Sequence, residues 1–451
     1  MAVLKTRYVC TNCAYSSPRW LGKCPSCNEW NTFSEEIAEK RKNGAPSGTL
    51  TLKNTPAPLK HIKYEANSRI TTGVAEFDRT LGGGFVPGSV TLIGGEPGIG
   101  KSTLILQAAF SCGKRVLYVS GEESATQIKM RADRLNIDSE EIFLLAETSV
   151  NRVLDAAQEL NPQMVIIDSI QTVYDETLEN TPGTITQIRE SAAKILEAAK
   201  RTGMIAVIIG HITKEGVIAG PKVLEHIVDT VIQFESELSG SYRIIRTLKN
   251  RFGNSGEIGV FEMHETGLTE VSNPSLIFLG ERKEAVSGSV ITATIEGSRA
   301  LLVEVQALIT NNYFGNPQRV TTGFDQKRLS ILLAVIEKRA GFRLSDKNVF
   351  LNLTGGIRIF EPSVDLAVCL AIVSALLDKP FRHSVVFGEV GLGGEVRGVS
   401  QADKRIREAV KLGFDEVYLP SQNRKGEKDK HDSTSLKEVK DLRSFLESLK
   451  N

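Results

Sequence analysis

A charge imbalance is missing from this chain. Lysine and arginine number 55 against 54 aspartate and glutamate, a formal net charge of +1. No global field advertises nucleic acid, so any DNA-binding surface must be a local patch. Long apolar runs are missing too. The longest, Leu366 to Leu377, is interrupted by Ser374, and a membrane span needs about 20 apolar residues. The opening MAVLKTRYVC carries no apolar stretch of the signal-peptide kind. Cysteine is sparse, with 6 in 451 residues, which excludes a disulfide framework. Proline is scarce beside glycine, 15 against 39, which points to tight turns and close backbone approaches rather than low complexity. These absences predict a soluble, cytoplasmic protein with no membrane partner. What is present, 41% hydrophobic and 24% charged residues, is a globular mix. A chain of 451 residues at roughly 100–200 residues per domain predicts several domains.

Four of the cysteines crowd into one place. Cys10-x2-Cys13 and Cys24-x2-Cys27 form two knuckles. Two such turns can set four thiolates around one Zn2+. Two disulfides or four free thiols are the alternatives. A cytosolic setting weakens the first, and free thiols need no such spacing. A closed four-thiolate set has no open position, so this zinc is structural and lets about 30 residues fold without a sizeable core. Lys5, Arg7, Arg19 and Lys23 stand here against Glu29. Trp20, Trp30 and Phe33 are expected as a small core, with a surface for a partner or single-stranded DNA as the alternative. From Ser34 to about Lys60 the chain turns polar and charged, which reads as a linker.

The apolar run Val90–Ile93 leads into Gly94-Gly95-Glu96-Pro97-Gly98-Ile99-Gly100-Lys101-Ser102-Thr103. Gly95-x4-Gly100-Lys101-Ser102 matches the full P-loop pattern in a strand–loop–helix context. Residues Gly95, Glu96, Pro97, Gly98, Ile99, Gly100 and Thr103 would form the loop around the phosphates of ATP, its glycines letting backbone N–H groups turn inward, at the positive end of a helix. Lys101 should reach the β- and γ-phosphates, and Ser102 should hold Mg2+. A strand Arg115–Ser120 ends at Gly121-Glu122-Glu123, where a carboxylate could activate water. Solvated acids at a helix start are the alternative. Met164–Asp168 is a second buried strand ending in an acid, the other metal-handling position. Ile205–Ile209 is a third, ending at Gly210-His211. With a helix expected over Ile185–Thr202, these strands imply a mostly parallel sheet covered on both faces. Val228–Glu235 and Tyr242–Lys249 then read as an antiparallel hairpin. Lys249-Asn250-Arg251-Phe252-Gly253 follows, with its two cations at i and i+2 facing one way.

The four-cysteine finger, GGEPGIGKST and KNRFG, in this order and spacing, resemble the RadA/Sms family of bacterial DNA recombination and repair proteins. The resemblance spans essentially the whole chain, and KNRFG is its most discriminating element. It implies an α/β, RecA-like P-loop ATPase core close to the hexameric helicase DnaB. It also implies roles: Glu122 activates water, Asp168 is the Walker B acid, and His211 senses the γ-phosphate. Lys249 and Arg251 reach across a subunit interface, which requires a ring or filament, and the resemblance implies a homohexamer ring. Tyr174–Thr186 and Thr213–Glu225, the latter with Lys214 and Lys222, would line a channel for single-stranded DNA. A RecA-type recombinase is the implied partner, in recombination and repair.

From about Val271 strand and helix patterns restart. Glu361-Pro362-Ser363-Val364-Asp365-Leu366-Ala367 and GEVGLGGEVRGV resemble the Lon protease domain, implying a C-terminal α+β domain. Lon proteases use a Ser–Lys dyad. Ser363 stands at the serine position, but the lysine position falls on Arg405, which stays protonated and cannot be a base. Lys404, one residue off, should point elsewhere. The expectation is a retained fold without proteolysis, with Ser363 as a helix N-cap. The basic stretch Arg319, Lys327, Arg328, Lys338, Arg339, Arg343 and Lys347 could be a DNA face, an oligomer surface or solvated surface. The charged tail is expected to end in a helix, Leu436–Leu449. The expected domains are 1–33, a finger; 34–60, a linker; 61–270, the ATPase; and 271–451, the Lon-like domain. The leading function is an ATP-dependent motor on single-stranded DNA, of helicase or branch-migration type. An ATP-dependent serine protease resembling Lon and a nucleotide-switched DNA-binding scaffold are the alternatives.

Overall fold

The computed structural model describes residues 5–10, 15–26, 28–38, 58, 69–211, 221–236, 241–279, 286–313, 315–381, 383–424 and 434–449. The chain forms two compact units, one of Met1–Ser236 with Ser241–Glu270 and one that runs from Val271 to Asn451.

The N-terminal module is a three-stranded antiparallel sheet. β1 (Lys5–Cys10) lies between β2 (Ser16–Ser17) and β3 (Phe33–Ala38). Its buried apolar residues are Val9, Cys10 and Cys24. The expected tryptophan core is absent: Trp20 is 54% and Trp30 67% exposed. Among the described residues this small sheet has no second layer to cover two indoles, so they stay outside.

The ATPase-like portion begins with α1 (Ala75–Leu81). Six parallel strands follow: β4 (Val90–Gly95), β5 (Val116–Ser120), β6 (Ile142–Ala146), β7 (Met164–Asp168), β8 (Ile205–His211) and β9 (Thr230–Ser236). Between them run α2 (Lys101–Ser111), α3 (Ala125–Arg134), α4 (Val150–Leu160), α5 (Ile185–Thr202) and α6 (Pro221–Glu225). Three antiparallel strands, β10 (Tyr242–Asn250), β11 (Ile258–His264) and β12 (Gly267–Glu270), extend one edge. The order is β12-β11-β10-β9-β4-β8-β7-β5-β6. β4, β5 and β7 are buried along their whole length, which is why they read as unbroken apolar runs rather than alternating ones. Odd and even positions serve opposite faces. Val207 and Ile209 pack with α1, α2 and α3, whereas Ala206 and Ile208 pack with α4 and α5.

The second unit starts with α7 (Pro274–Phe278) and the hairpin β13 (Ser289–Glu296) and β14 (Arg299–Asn311). Then come β15 (Arg319–Thr322), α8 (Gln326–Val335), β16 (Lys347–Leu353) and α9 (Asp365–Leu377). β17 (Ser384–Val386), β18 (Glu389–Val390), β19 (Val396–Arg397), α10 (Ala402–Lys411) and β20 (Glu416–Pro420) follow. α11 (Ser421–Arg424), β21 (Ser435–Val439) and α12 (Leu442–Glu447) end the described chain. The mixed sheet has the order β15-β16-β14-β13-β17-β20-β21. The apolar run at Leu366 becomes α9, whose first ten residues, Asp365 to Ser374, are all buried. Each buried leucine or isoleucine there contributes about 1.5–3 kcal/mol.

α8 is capped by Asp325, whose side chain accepts from Arg328 N at 2.7 Å, and it runs into a π turn at Ile336–Ala340. The expected helix Leu436–Leu449 is instead the parallel strand β21 followed by α12. Pairing with β20 takes Ser435–Val439, and Asp441 restarts the chain as a helix by accepting from Ser444 N at 2.8 Å.

Candidate active site

The P-loop leaves the carboxyl end of β4 and enters α2 at Lys101. Gly98 (φ 74°) and Gly100 (φ 113°) turn left-handed there, a backbone that side chains resist. Lys101 is 3% exposed. Its Nζ donates at 2.8 Å to both Gly95 O and Glu96 O, and lies 3.2 Å from His211 Nδ1. Burial lowers its pKa to about 8, against the opposing pull of Asp168, Glu122 and Glu96. The loop therefore closes on its own lysine, through carbonyls that phosphate oxygens can replace.

The strand-end acids converge on the same place. Register pairs Ser120 with Asp168, and Asp168 with Ile209, so the ends of β5, β7 and β8 stand level. Glu122 accepts from the Ser169 hydroxyl, and its Oε1 lies 3.3 Å from His211 Nε2. Asp168 is 8% exposed. The hydroxyl of the buried Tyr118 donates to Asp168 Oδ2 at 2.5 Å. Burial, then Asp168, pushes the Tyr118 pKa well up, so the phenol remains a donor. A cavity of about 460 Å³ is lined by Pro97, Gly98, Gly100, Lys101, Ser102, Thr103, Glu122, Asp168 and His211. Ser102 and Asp168 face it as oxygen donors of the kind Mg2+ takes.

Sequence reading missed part of this lining. Arg131, Arg134 and Arg243 also face the cavity. Arg131 binds Glu123, and Arg243 Nε donates to Ile99 O at 2.9 Å. The i,i+3 arginines of RADR share one helix face, a signal present in the sequence. Tyr118, a hydroxyl inside an apolar strand, was the other available signal.

Lys249 and Arg251 do not line this cavity. Register through β9 places Lys249 level with Leu92, in mid-strand, and Arg251 near Val90, at the opposite end of β4. Five strand steps separate Val90 from Gly95, about 16 Å. A bulge between Thr247 and Lys249 precedes them. Lys249 Nζ donates to Glu225 O at 2.6 Å and Val228 O at 2.8 Å, and burial, then Arg251, lowers its pKa. Arg251 pairs with Asp229 Oδ1 at 3.0 Å and stays half exposed. Asp229 also accepts from Val90 N at 3.1 Å. Of the two expected channel loops, residues 212–220 lie outside the described residues. Tyr174–Thr186 is described, and Asp175 within it is pinned by Lys194 at 2.7 Å.

The metal knuckles are half described, since Cys13 and Cys27 lie outside the described residues. Cys10 and Cys24 are fully buried. Their backbones repeat one pattern: Cys10 N donates to Tyr15 O at 2.9 Å, and Cys24 N to Glu29 O at 2.8 Å. Two matched turns each presenting a buried thiol fit a closed four-thiolate metal site.

In the second unit Ser363 is buried, on a 3₁₀ turn before α9. The N-cap expectation is corrected: Val364 is the N-cap residue of α9, and no side chain caps it. Ser363 Oγ instead accepts from Arg405 Nη1 at 3.1 Å. Arg405 is fully buried. It donates to Ala293 O at 2.5 Å and Ser400 O at 3.2 Å, pairs with Glu361, and lies 5.7 Å from the Phe387 ring centroid. Burial alone would raise the Glu361 pKa; the Arg405 guanidinium more than offsets it, and the carboxyl stays below its usual range. Lys404 points away, to Ser298 O at 3.0 Å. The basic stretch is not one free face. Arg319 donates to Leu344 O at 2.8 Å, and Arg328 pairs with the buried Asp365.

The family model described as "AAA domain" matches residues 68–217. "Rubredoxin metal binding domain" matches 8–35, and "Subunit ChlI of Mg-chelatase" matches 317–423. Among solved structures, "Crystal structure of the RadB recombinase" is similar at 22% identity and TM-score 0.35, covering 45% of this chain and 100% of that one. That likeness is too low to add to what the sheet order says. Relatives described as "DNA repair protein RadA" are far more similar. Those of Halalkalibacterium halodurans and Bacillus subtilis are each 48% identical, with 94% of both chains covered. That of Pseudomonas aeruginosa is 47% identical, again over 94% of each chain. With a RecA-like P-loop core, an N-terminal metal-binding ribbon and a Lon-like C-terminal unit, the chain belongs to the RadA family.

Proposed function

We propose that the chain is an ATP-hydrolysing motor on single-stranded DNA, of helicase or branch-migration type, acting in recombination and repair beside a RecA-type recombinase. One observation carries the chemistry: Lys101, Ser102, Glu122, Asp168 and His211 meet at one cavity on the carboxyl ends of parallel strands, where α/β sheets bind ligands. The printed name of the relatives supports DNA repair as the setting.

In this reading Lys101 leaves Gly95 O and Glu96 O for the phosphates, and Gly95 to Thr103 cradle them. Ser102 and Asp168 hold Mg2+, which neutralises phosphate charge when bound. Glu122 takes a proton from the attacking water, held by Ser169 and His211. His211 stands where it can follow the γ-phosphate through Lys101. Lys249 and Arg251 face away from their own cavity, so they serve the nucleotide of a neighbouring subunit in a homohexamer ring. Zinc on Cys10, Cys13, Cys24 and Cys27 holds the ribbon together. The Lon-like unit is non-proteolytic, because Arg405 stands where a base is needed. We place domain limits at 1–33, 34–60, 61–270 and 271–451, with β3 carrying the ribbon's sheet on to Ala38 inside the second of these. The location in this reading is cytoplasmic. No helix among the described residues is long and apolar enough to cross a membrane.

Steady-state ATP hydrolysis with and without single-stranded DNA, alongside Lys101→Ala, is the test. Strong stimulation that disappears in the variant is expected. Hydrolysis indifferent to DNA would overturn the motor in favour of a nucleotide-switched scaffold. ATP-dependent casein degradation lost in Ser363→Ala would instead establish the protease. The ring has its own test: Arg251→Ala loses hydrolysis by about 10³-fold or more but keeps nucleotide binding. Mixing it with Lys101→Ala chains restores part of the rate, and no recovery counts against action in trans.

A further inference from the structure

Two indoles stand in water on the metal-binding ribbon, Trp20 at 54% and Trp30 at 67% exposure. They are not scattered. A Cβ placed on Gly22 would lie 3.7 Å from both six-membered rings, so the rings converge over a residue with no side chain. The hairpin beneath them is set by an antiparallel bridge, Lys23 to Trp30, and by Asn31 N donating to Gly22 O at 2.8 Å. Lys23 Nζ lies 5.8 Å from the Trp30 ring centroid. Arg19 adjoins Trp20 in the chain, and it is exposed. Across residues 1–33 the cations Lys5, Arg7, Arg19 and Lys23 face a single acid, Glu29. Exposed apolar rings held in place by a fixed turn and edged with cations are a costly way to build a mere surface.

We infer that Trp20 and Trp30 form a stacking platform for bases of single-stranded DNA, with Lys23 and Arg19 taking the flanking phosphates. Indole faces accept any base, and cations beside them track a backbone, so the site would be sequence-tolerant and salt-sensitive. The inference rests on the reading of DNA as the partner. It adds a second contact to that reading, on the ribbon rather than in a motor channel.

The chain contains two tryptophans, both in the ribbon, so the tryptophan emission of the whole protein reports this surface alone. The test titrates the full-length protein with oligothymidylate and follows tryptophan emission together with the anisotropy of a labelled oligonucleotide. Emission should fall in step with binding. Trp20→Ala with Trp30→Ala should weaken binding about tenfold or more, and phenylalanine at both positions should restore most of it. An abasic oligomer of equal length should bind without the quench. Anisotropy that rises while emission stays still overturns the platform and leaves the motor intact. An equal quench from the abasic oligomer overturns it too. Emission that responds to the recombinase but not to the oligonucleotide makes the surface a protein dock and also overturns it. No oligonucleotide binding at all takes the DNA reading down with it. Should the alanine variant lose its zinc, the wild-type titration and the phenylalanine variant decide between these outcomes.

Discussion

Lys101 and Arg405 are both cations removed from water, one in each unit, and their surroundings separate a working site from a scaffold. Lys101 borders an open cavity and is held by two loop carbonyls and a histidine nitrogen. A ligand can replace each of these. Arg405 is fully buried, enclosed by two carbonyls, the Ser363 hydroxyl, the Glu361 carboxylate and the Phe387 ring. Burial lowers the pKa of both. The lysine reaches about 8, within range of exchange near neutral pH, whereas the arginine stays charged because guanidinium starts so much higher. One position therefore holds a cation beside a cavity that a ligand could enter. The other locks a cation where the Lon-like resemblance calls for a base.

The sharpest way to break this contrast is to remove each cation. Lys101→Ala should reduce ATP hydrolysis by about 10²–10³-fold or more, with little change in thermal melting, because Lys101 borders an open cavity. Arg405→Ala should do the reverse. It breaks the ion pair of a fully buried guanidinium with the partly exposed Glu361 and should destabilise the second unit by about 3 kcal/mol. Denaturant melts would report it, with ATP turnover per folded chain unchanged. Equal stability loss in both variants would erase the distinction.

A pH titration sharpens it further. The Lys101 pKa is lowered in the folded chain from 10.5 to about 8. Between those values the unfolded chain binds the proton and the folded one does not, so this residue's contribution to stability rises as pH climbs from about 8 to 10.5. Nucleotide affinity should move the other way. It should fall above pH 8 by up to about tenfold per unit, as a neutral lysine loses its hold on phosphate. Lys101→Arg should flatten that slope, which equilibrium binding of a fluorescent nucleotide can measure. No comparable step is expected from Arg405.

The smallest expected effect belongs to Tyr118→Phe. Loss of one hydrogen bond to Asp168 should raise the Mg2+ concentration needed for tight nucleotide binding a few-fold, roughly 0.5–1.5 kcal/mol. The Mg2+ dependence of nucleotide affinity is the readout, and an unchanged dependence would make the phenol a purely structural contact.

Much of the site was legible in the chain because it depends on local backbone. Glycine spacing before Lys101 and Ser102 specifies a phosphate loop wherever it follows a buried strand, and acids at strand ends mark the sheet's carboxyl edge. The tail was misread because the charged run after Asp432 suggested a helix, whereas β20 offered an open edge to pair with. The tryptophans were misread because apolar character predicts burial only where a core is large enough to receive it. Ser363 was given a helix cap because serine suits one locally. Its actual partner, Arg405, is 42 residues away in the chain.

The sequence by itself determined the parallel core, the phosphate loop, the paired cysteine knuckles and the place of an arginine where a base is needed. These follow from spacing, apolar runs and side-chain chemistry, which act over a few residues. Only the tertiary structure decided that Tyr118 holds Asp168, that Arg251 sits about 16 Å along β4 from the P-loop with Lys249 part-way between, and that two tryptophans face water together. Those outcomes depend on which strands lie side by side and in what register, because packing brings together groups that the chain keeps far apart.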